Sequence, residues 1–278
     1  MTSLQTLQTL RQERWGQTSK ARISDAAAAP AFIDRVGIAT LFQASPEVPN
    51  LYHAYMGDPT AKTSAKWDSP SGEVYGWRWS LGRQNVAFYT TLVCRRSTWV
   101  SWNLLPAVLR LCAETRVPDE LYDSGALSAE AYRITQALEE AGGTLSTGEL
   151  RKEANFPMGK ASRAAYLKAL EELEIRLLVG KFFQAGQDDT YHTLIAERYQ
   201  SYLTSAEQLS REEALEKLLL TYLPQAVYTL PTVLARHLRL PEQELRAGLE
   251  RLCASGQAEA ISLDGQKGAC YRWSEGQR

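Results

Sequence analysis

The chain has 278 residues, enough for two or three domains with buried cores. Its 31 Lys and Arg stand against 32 Asp and Glu, so it is almost neutral. This excludes a polybasic binder whose overall charge supplies nucleic-acid affinity, and any such footprint must be a local patch.

Taken in chain order, residues 24–43 read as one or two helices, with Phe32, Val36 and Leu41 as apolar positions. Residues 67–79 read as a tryptophan-rich hairpin, because Ser69-Pro70-Ser71-Gly72 suits a turn and Trp77 and Trp79 alternate. Residues 103–113 read as a helix. Asp119, Glu120 and Asp123, in a stretch bounded by Pro and Gly, read as a solvated linker.

The second half repeats one syntax: helix, short helix, longer helix, then two strands around a polar turn. The first copy opens at Ser128, with Ala131, Ile134, Thr135 and Leu138 at helical spacing up to Gly142-Gly143. Ser146 and Glu149 match a capping box for a short helix. A recognition-type helix follows over about 160–174, burying Tyr166, Ala169, Leu170 and Leu173, then strands over 177–184 and 190–195. The second copy opens on the capping box of Ser210 and Glu213 and is broken near Pro224. A second recognition-type helix begins at Pro241, followed by strands over 258–263 and 269–273 around a turn at 264–268. Helix-turn-helix followed by a hairpin is the winged-helix order.

The expected fold class is mainly α with small β-hairpins (α+β), built of tandem winged-helix units. An N-terminal helical, winged-helix-like unit carries the tryptophan-rich hairpin over 1–125. A winged helix spans 126–205 and a C-terminal winged helix 206–278.

Lys160 and Arg163 fall at the start of the first recognition-type helix, where side chains reach base edges and phosphates. Arg151 and Lys152 sit on the preceding helix, and Lys168 and the wing-strand Lys181 can add phosphate contacts. The competing reading is a solvated face, given Glu171 and Glu172. The second recognition-type helix has Arg246 and Arg251 outward among Glu242, Glu244 and Glu250, which favours a structural or dimerising role; Lys267 and Arg272 on its wing keep DNA contact open. Trp67, Trp77, Trp79, Trp99 and Trp102 accompany Arg78, Arg83, Arg95 and Arg96. Aromatics among arginines can stack on bases and grip a backbone, although a small core is the preferred reading.

Cys94, Cys112, Cys253 and Cys270 form no C-x-x-C pair, and His53, His192 and His237 lie far apart. No metal site and no cofactor is expected, nor does a phosphate-binding loop or dinucleotide turn occur. No apolar run approaches the ~18 residues that span a bilayer, and residues 1–14 lack a signal-peptide core. A cytoplasmic protein without a membrane partner is expected.

The sequence resembles the winged-helix proteins related to the AlkZ/YcaQ DNA glycosylases. The resemblance rests on Arg35-Val36-Gly37-Ile38-Ala39-Thr40-Leu41-Phe42, on Trp67-Asp68-Ser69-Pro70-Ser71-Gly72 running into Gly76-Trp77, on Leu104-Leu105-Pro106, and on Gly143-Thr144-Leu145-Ser146-Thr147-Gly148-Glu149-Leu150-Arg151. It implies a DNA-embracing array of winged helices, which in the glycosylases excises alkylated or crosslinked bases. Catalytic members carry Gln-x-Gln or Gln-x-Asp shortly after the glycine matched by Gly37. Here Thr40 and Phe42 occupy those places, and neither can activate water. Gln43 comes one residue later, followed by Ser45 rather than a carboxylate, and the family's Trp-Ala-His phrase is replaced by Val100-Ser101-Trp102-Asn103.

The leading expectation is therefore a duplex-DNA binder, a catalytically degenerate relative of these glycosylases. The alternatives are an active glycosylase working through Gln43, or a winged-helix transcriptional regulator or protein-interaction module, with a protein partner or homodimer formed through the C-terminal winged helix.

Overall fold

A computed structural model describes residues 3–263 and 268–274 of the chain, and among them one arrangement of elements occurs three times. After a leading helix α1 (Leu4–Arg14), the first copy comprises α2 (Ala29–Val36), β1 (Ile38–Thr40), α3 (Leu51–Met56), α4 (Pro70–Arg83), β2 (Phe88–Thr91) and β3 (Ser97–Val100). Helices α5 (Leu105–Cys112) and α6 (Pro118–Asp123) lead to the second. It comprises α7 (Ala129–Glu140), β4 (Thr144–Ser146), α8 (Thr147–Glu153), α9 (Lys160–Ile175), β5 (Val179–Phe182) and β6 (Tyr191–Leu194). Helices α10 (Ile195–Arg198) and α11 (Gln200–Glu207) lead to the third. This comprises α12 (Arg211–Ala226), β7 (Tyr228–Thr229), α13 (Pro231–Leu238), α14 (Glu242–Ala254), β8 (Ala258–Ile261) and β9 (Cys270–Trp273).

The strand orders repeat as well: β1-β3-β2, β4-β6-β5 and β7-β9-β8, with antiparallel pairs throughout. In each copy the first helix ends on a residue with positive φ, which turns the chain into the first strand. Gly37 (φ 74°, ψ −42°) and Val227 (φ 68°, ψ −46°) share one backbone conformation, and Gly142 and Gly143 serve in the second copy. A glycine takes this conformation freely, whereas Val227 is strained there. A chain of helix, strand, helix-turn-helix and hairpin, repeated, is the tandem winged-helix order in a mainly α fold with small sheets.

Local chemistry explains most boundaries. The Ser146–Glu149 and Ser210–Glu213 pairs both form capping boxes, at the starts of α8 and α12. Ser128 caps α7. The second copy's core sets Tyr166, Ala169, Leu170 and Leu173 of α9 against Ala131, Ile134 and Leu138 of α7.

Three expectations are corrected. The tryptophan-rich segment is helix α4, not a hairpin: Ser69 caps it, Pro70 opens it, and Val74, Trp77 and Leu81 form its buried face. The first copy's hairpin is β2–β3 instead. Helix α12 runs through Pro224 to Ala226 rather than breaking there. The acidic stretch around Asp119 is helix α6, anchored by buried Leu121. The turn expected at 264–268 falls largely outside the described residues, as does Lys267.

The copies are fused. Tyr89 of β2 pairs with Lys181 of β5, so the first two small sheets become one of six strands. The main core runs from Phe32 and Trp99 of the first copy to Leu219 and Leu249 of the third. No helix among the described residues is long and apolar enough to cross a membrane.

Candidate nucleic-acid interface

Helices α8 and α9 form the helix-turn-helix of the second copy. The turn is pinned by buried Ala154 and Phe156 and by Asn155 at φ 58°, a conformation asparagine tolerates. Arg151 belongs to this turn: its guanidinium donates to the carbonyl of Pro157 at 2.8 Å. Lys152 is exposed, 3.1 Å from its neighbour Glu153.

With Tyr166, Ala169, Leu170 and Leu173 buried, helical geometry turns Lys160, Arg163, Ala164, Leu167 and Lys168 outward. Lys160, Arg163 and Lys168 are exposed, and their side chains have no hydrogen-bond or ion-pair partner among the described residues. Two large apolar side chains share this surface, Met158 at 90 % and Leu167 at 51 % exposure.

Lys181 is turned the other way. Its strand β5, between β2 and β6, packs against α9, and its Nζ is 2.7 Å from the buried Glu174 carboxylate of α9 and 3.2 Å from Thr91 Oγ1. Next to it, His192 Nε2 donates to Thr147 Oγ1 at 3.0 Å, since that hydroxyl donates to the Thr190 carbonyl. Burial, helped by the Lys181 charge, pushes the His192 imidazole down to about 3, so it is neutral. The Glu174 carboxylate 3.9 Å from Nδ1 does not reverse this, because Lys181 lies closer and offsets it.

The hairpin of the first copy brings Arg95 to α9. Arg95 Nη1 lies 3.4 Å from Glu171 Oε1 on α9. At the hairpin tip Cys94 (φ 50°) and Arg95 (φ 56°) are consecutive non-glycine residues in the left-handed region. Such positions cost on the order of 1 kcal/mol or more each. Arg96 is exposed, and its side chain has no partner among the described residues.

Arg246 and Arg251 of α14 are paired, 2.7 Å from Glu242 and 2.9 Å from Glu212, and Arg272 pairs with Glu259. The third copy therefore presents a self-neutralised recognition-type helix.

Gln43 lies between two clefts. One of about 750 Å³ is lined by Phe42, His53, Lys62, Lys66, Trp67 and Tyr75. The other, about 370 Å³, is lined by Arg11, Gln12, Glu47 and Asn50 and shares Gln43 and His53 with the first. Thr40 is fully buried in β1, its hydroxyl donating to the Pro49 carbonyl at 3.4 Å. Ser45 Oγ is held by His237 Nε2 at 2.7 Å and by the Glu47 amide at 3.1 Å. His53 is occupied at both ring nitrogens: Nε2 donates to the Ala61 carbonyl at 3.2 Å, and Nδ1 accepts from Asn50 Nδ2 at 3.3 Å. Burial holds its imidazole below the usual range, so it is neutral and committed. Glu47 is held through one oxygen by Arg11 at 2.8 Å. Trp102, in the stretch that replaces the family's Trp-Ala-His phrase, packs on Phe88, Tyr199 and Tyr202.

The sequence named Gln43 but not the wall around it. His53, Lys62, Lys66 and Tyr75 meet only because α3, α4 and the loop between them fold together, and no local pattern announces that. The 68 % exposure of Trp67 likewise follows from its place just before α4.

The fold is similar to that of Streptomyces sahachiroi DNA glycosylase AlkZ, at a TM-score of 0.59 and 13 % sequence identity, over 99 % of this chain and 70 % of that one. No curated protein matches the sequence. The sequence model of the family described as AlkZ related matches residues 23–228, which is most of the chain. The chain belongs to the AlkZ-related family.

Proposed function

We propose that this protein binds duplex DNA through the outer face of α9 and does not excise bases. The three winged-helix units, divided near residues 125 and 205, are the modules of that binder. The observation that carries the reading is the set of exposed cations Lys160, Arg163 and Lys168, whose side chains have no partner among the described residues, on the second helix of a helix-turn-helix. In a nearly neutral protein such a cluster is the local patch that phosphate contact requires. Lys152 adds to the same patch from α8. The likeness of the fold to a DNA glycosylase supports DNA as the partner and DNA repair as the setting.

Catalytic degeneracy is supported by the cleft at Gln43. An amide is not a base, and beside it His53 is engaged at both nitrogens, Ser45 by His237, and Glu47 by Arg11 through one of its two oxygens.

The test is the paired substitution Lys160→Ala with Arg163→Ala, both at exposed positions where stability changes little. DNA affinity should fall, and the slope of log affinity against log salt should flatten by about two units. An unchanged slope in the folded double variant overturns the assignment of α9.

A further inference from the structure

The three units meet at one point. The hairpin tip of the first, residues 92–96, lies beside α9 of the second through Arg95 and Glu171. It also packs against α13 of the third, with Val93 and Leu234 lining one apolar crevice. The charges of Arg236, on α13, and of Arg96 both act on the Cys94 thiol at the tip. Arg95, Arg96 and Arg236 therefore gather around Cys94 from two units, all exposed, and Arg95 reaches the C-terminal part of α9.

These three differ from the arginines nearby. Arg176 binds Glu114 and the Ala126 carbonyl, Arg211 binds Glu244 and the Leu111 carbonyl, and Arg239 caps α9 at the Ile175 carbonyl. Those are spent on helix ends and carboxylates. The side chains of Arg96 and Arg236 have no partner among the described residues, and that of Arg95 has only the 3.4 Å contact with Glu171.

The tip is also rigid and strained. Thr98 Oγ1 accepts the Val93 amide at 3.1 Å and donates to the Arg96 carbonyl at 2.7 Å, while Val93 is buried in the core. The left-handed turn at Cys94 and Arg95 is one that glycine or asparagine makes without strain. A strained backbone held by its surroundings, presenting two arginines outward, is organised for contact rather than for stability.

We infer that Arg95, Arg96 and Arg236 form a phosphate clamp, continuous with the α9 face, that grips the sugar-phosphate backbone of the duplex met by Lys160 and Arg163. The inference rests on the DNA-binding reading and extends it to a contact made jointly by the first and third units. Backbone contacts of this kind set position and affinity without reading sequence.

The test is a salt series of anisotropy titrations of the full chain on a plain duplex. Arg96→Ala with Arg236→Ala should weaken binding and flatten the salt slope by about two units, equally for unrelated duplex sequences. Arg95→Gly should flatten it by about one unit while the melting temperature is held or raised, because glycine fits the left-handed position. A structural role for Arg95 would instead lower the melting temperature and leave the slope alone. If both folded variants bind as the unchanged protein does, while Lys160→Ala with Arg163→Ala weakens binding, the clamp is wrong and the α9 assignment stands. An unchanged protein that shows no salt-sensitive binding overturns both.

Discussion

Arg11→Ala should destabilise the protein by about 3–5 kcal/mol, the range for stripping one partner from a buried ion pair. Arg11 is 4 % exposed and does several things at once. Nε donates to the Ala226 carbonyl at 2.7 Å, Nη2 to the Tyr228 carbonyl, and Nη1 lies 2.8 Å from Glu47 Oε1. The guanidinium also stacks on the Tyr228 ring at 3.7 Å. Alanine would leave a largely buried carboxylate without a countercharge and two carbonyls without donors, at the joint between α1 and the third unit. Against a total stability of about 5–15 kcal/mol this is a large share. Urea denaturation should show a lowered midpoint. Adding Glu47→Gln should recover only part of the loss, because the carbonyls stay unpaired. A loss below about 1 kcal/mol would mean that the joint does not depend on Arg11.

Lys181→Ala should cost about 2–4 kcal/mol and leave the salt slope of DNA binding unchanged. Its ammonium is the countercharge of Glu174, which is 2 % exposed beside neutral His192. Removing it strands that carboxylate between α9 and the sheet. Lys181→Met with Glu174→Leu should restore much of the stability, since a buried pair replaced by apolar groups of like volume is close to neutral. A slope that drops by about one unit in folded Lys181→Ala would return this lysine to the DNA surface.

Lys181 shows where sequence stops being informative. As a wing strand, residues 177–184 suggest a lysine facing solvent. Its inward turn follows from the pairing of Tyr89 with Lys181, a contact between segments far apart in the chain. Such pairing leaves no local mark. The same long-range packing brings Arg95 to α9, so that two basic groups read separately lie together.

What was legible is what local chemistry encodes. The capping boxes at Ser146 and Ser210 and the helical spacing of Tyr166, Ala169, Leu170 and Leu173 were sufficient for the second and third copies. The first copy was obscured by its tryptophans. Alternation of Trp77 and Trp79 imitates a strand, while Ser69-Pro70 and the spacing of Val74, Trp77 and Leu81 determine a helix. With α4 recognised as a helix, the first copy has the same element order as the other two.

The measurement that bears most directly on the central claim is anisotropy of the protein on plain and N7-alkylated duplexes over a salt series, with free base monitored in the same samples. Tight, salt-sensitive binding with no released base is the expected result. Base release that disappears on Gln43→Ala would contradict it and make the cleft at Gln43 a working active site.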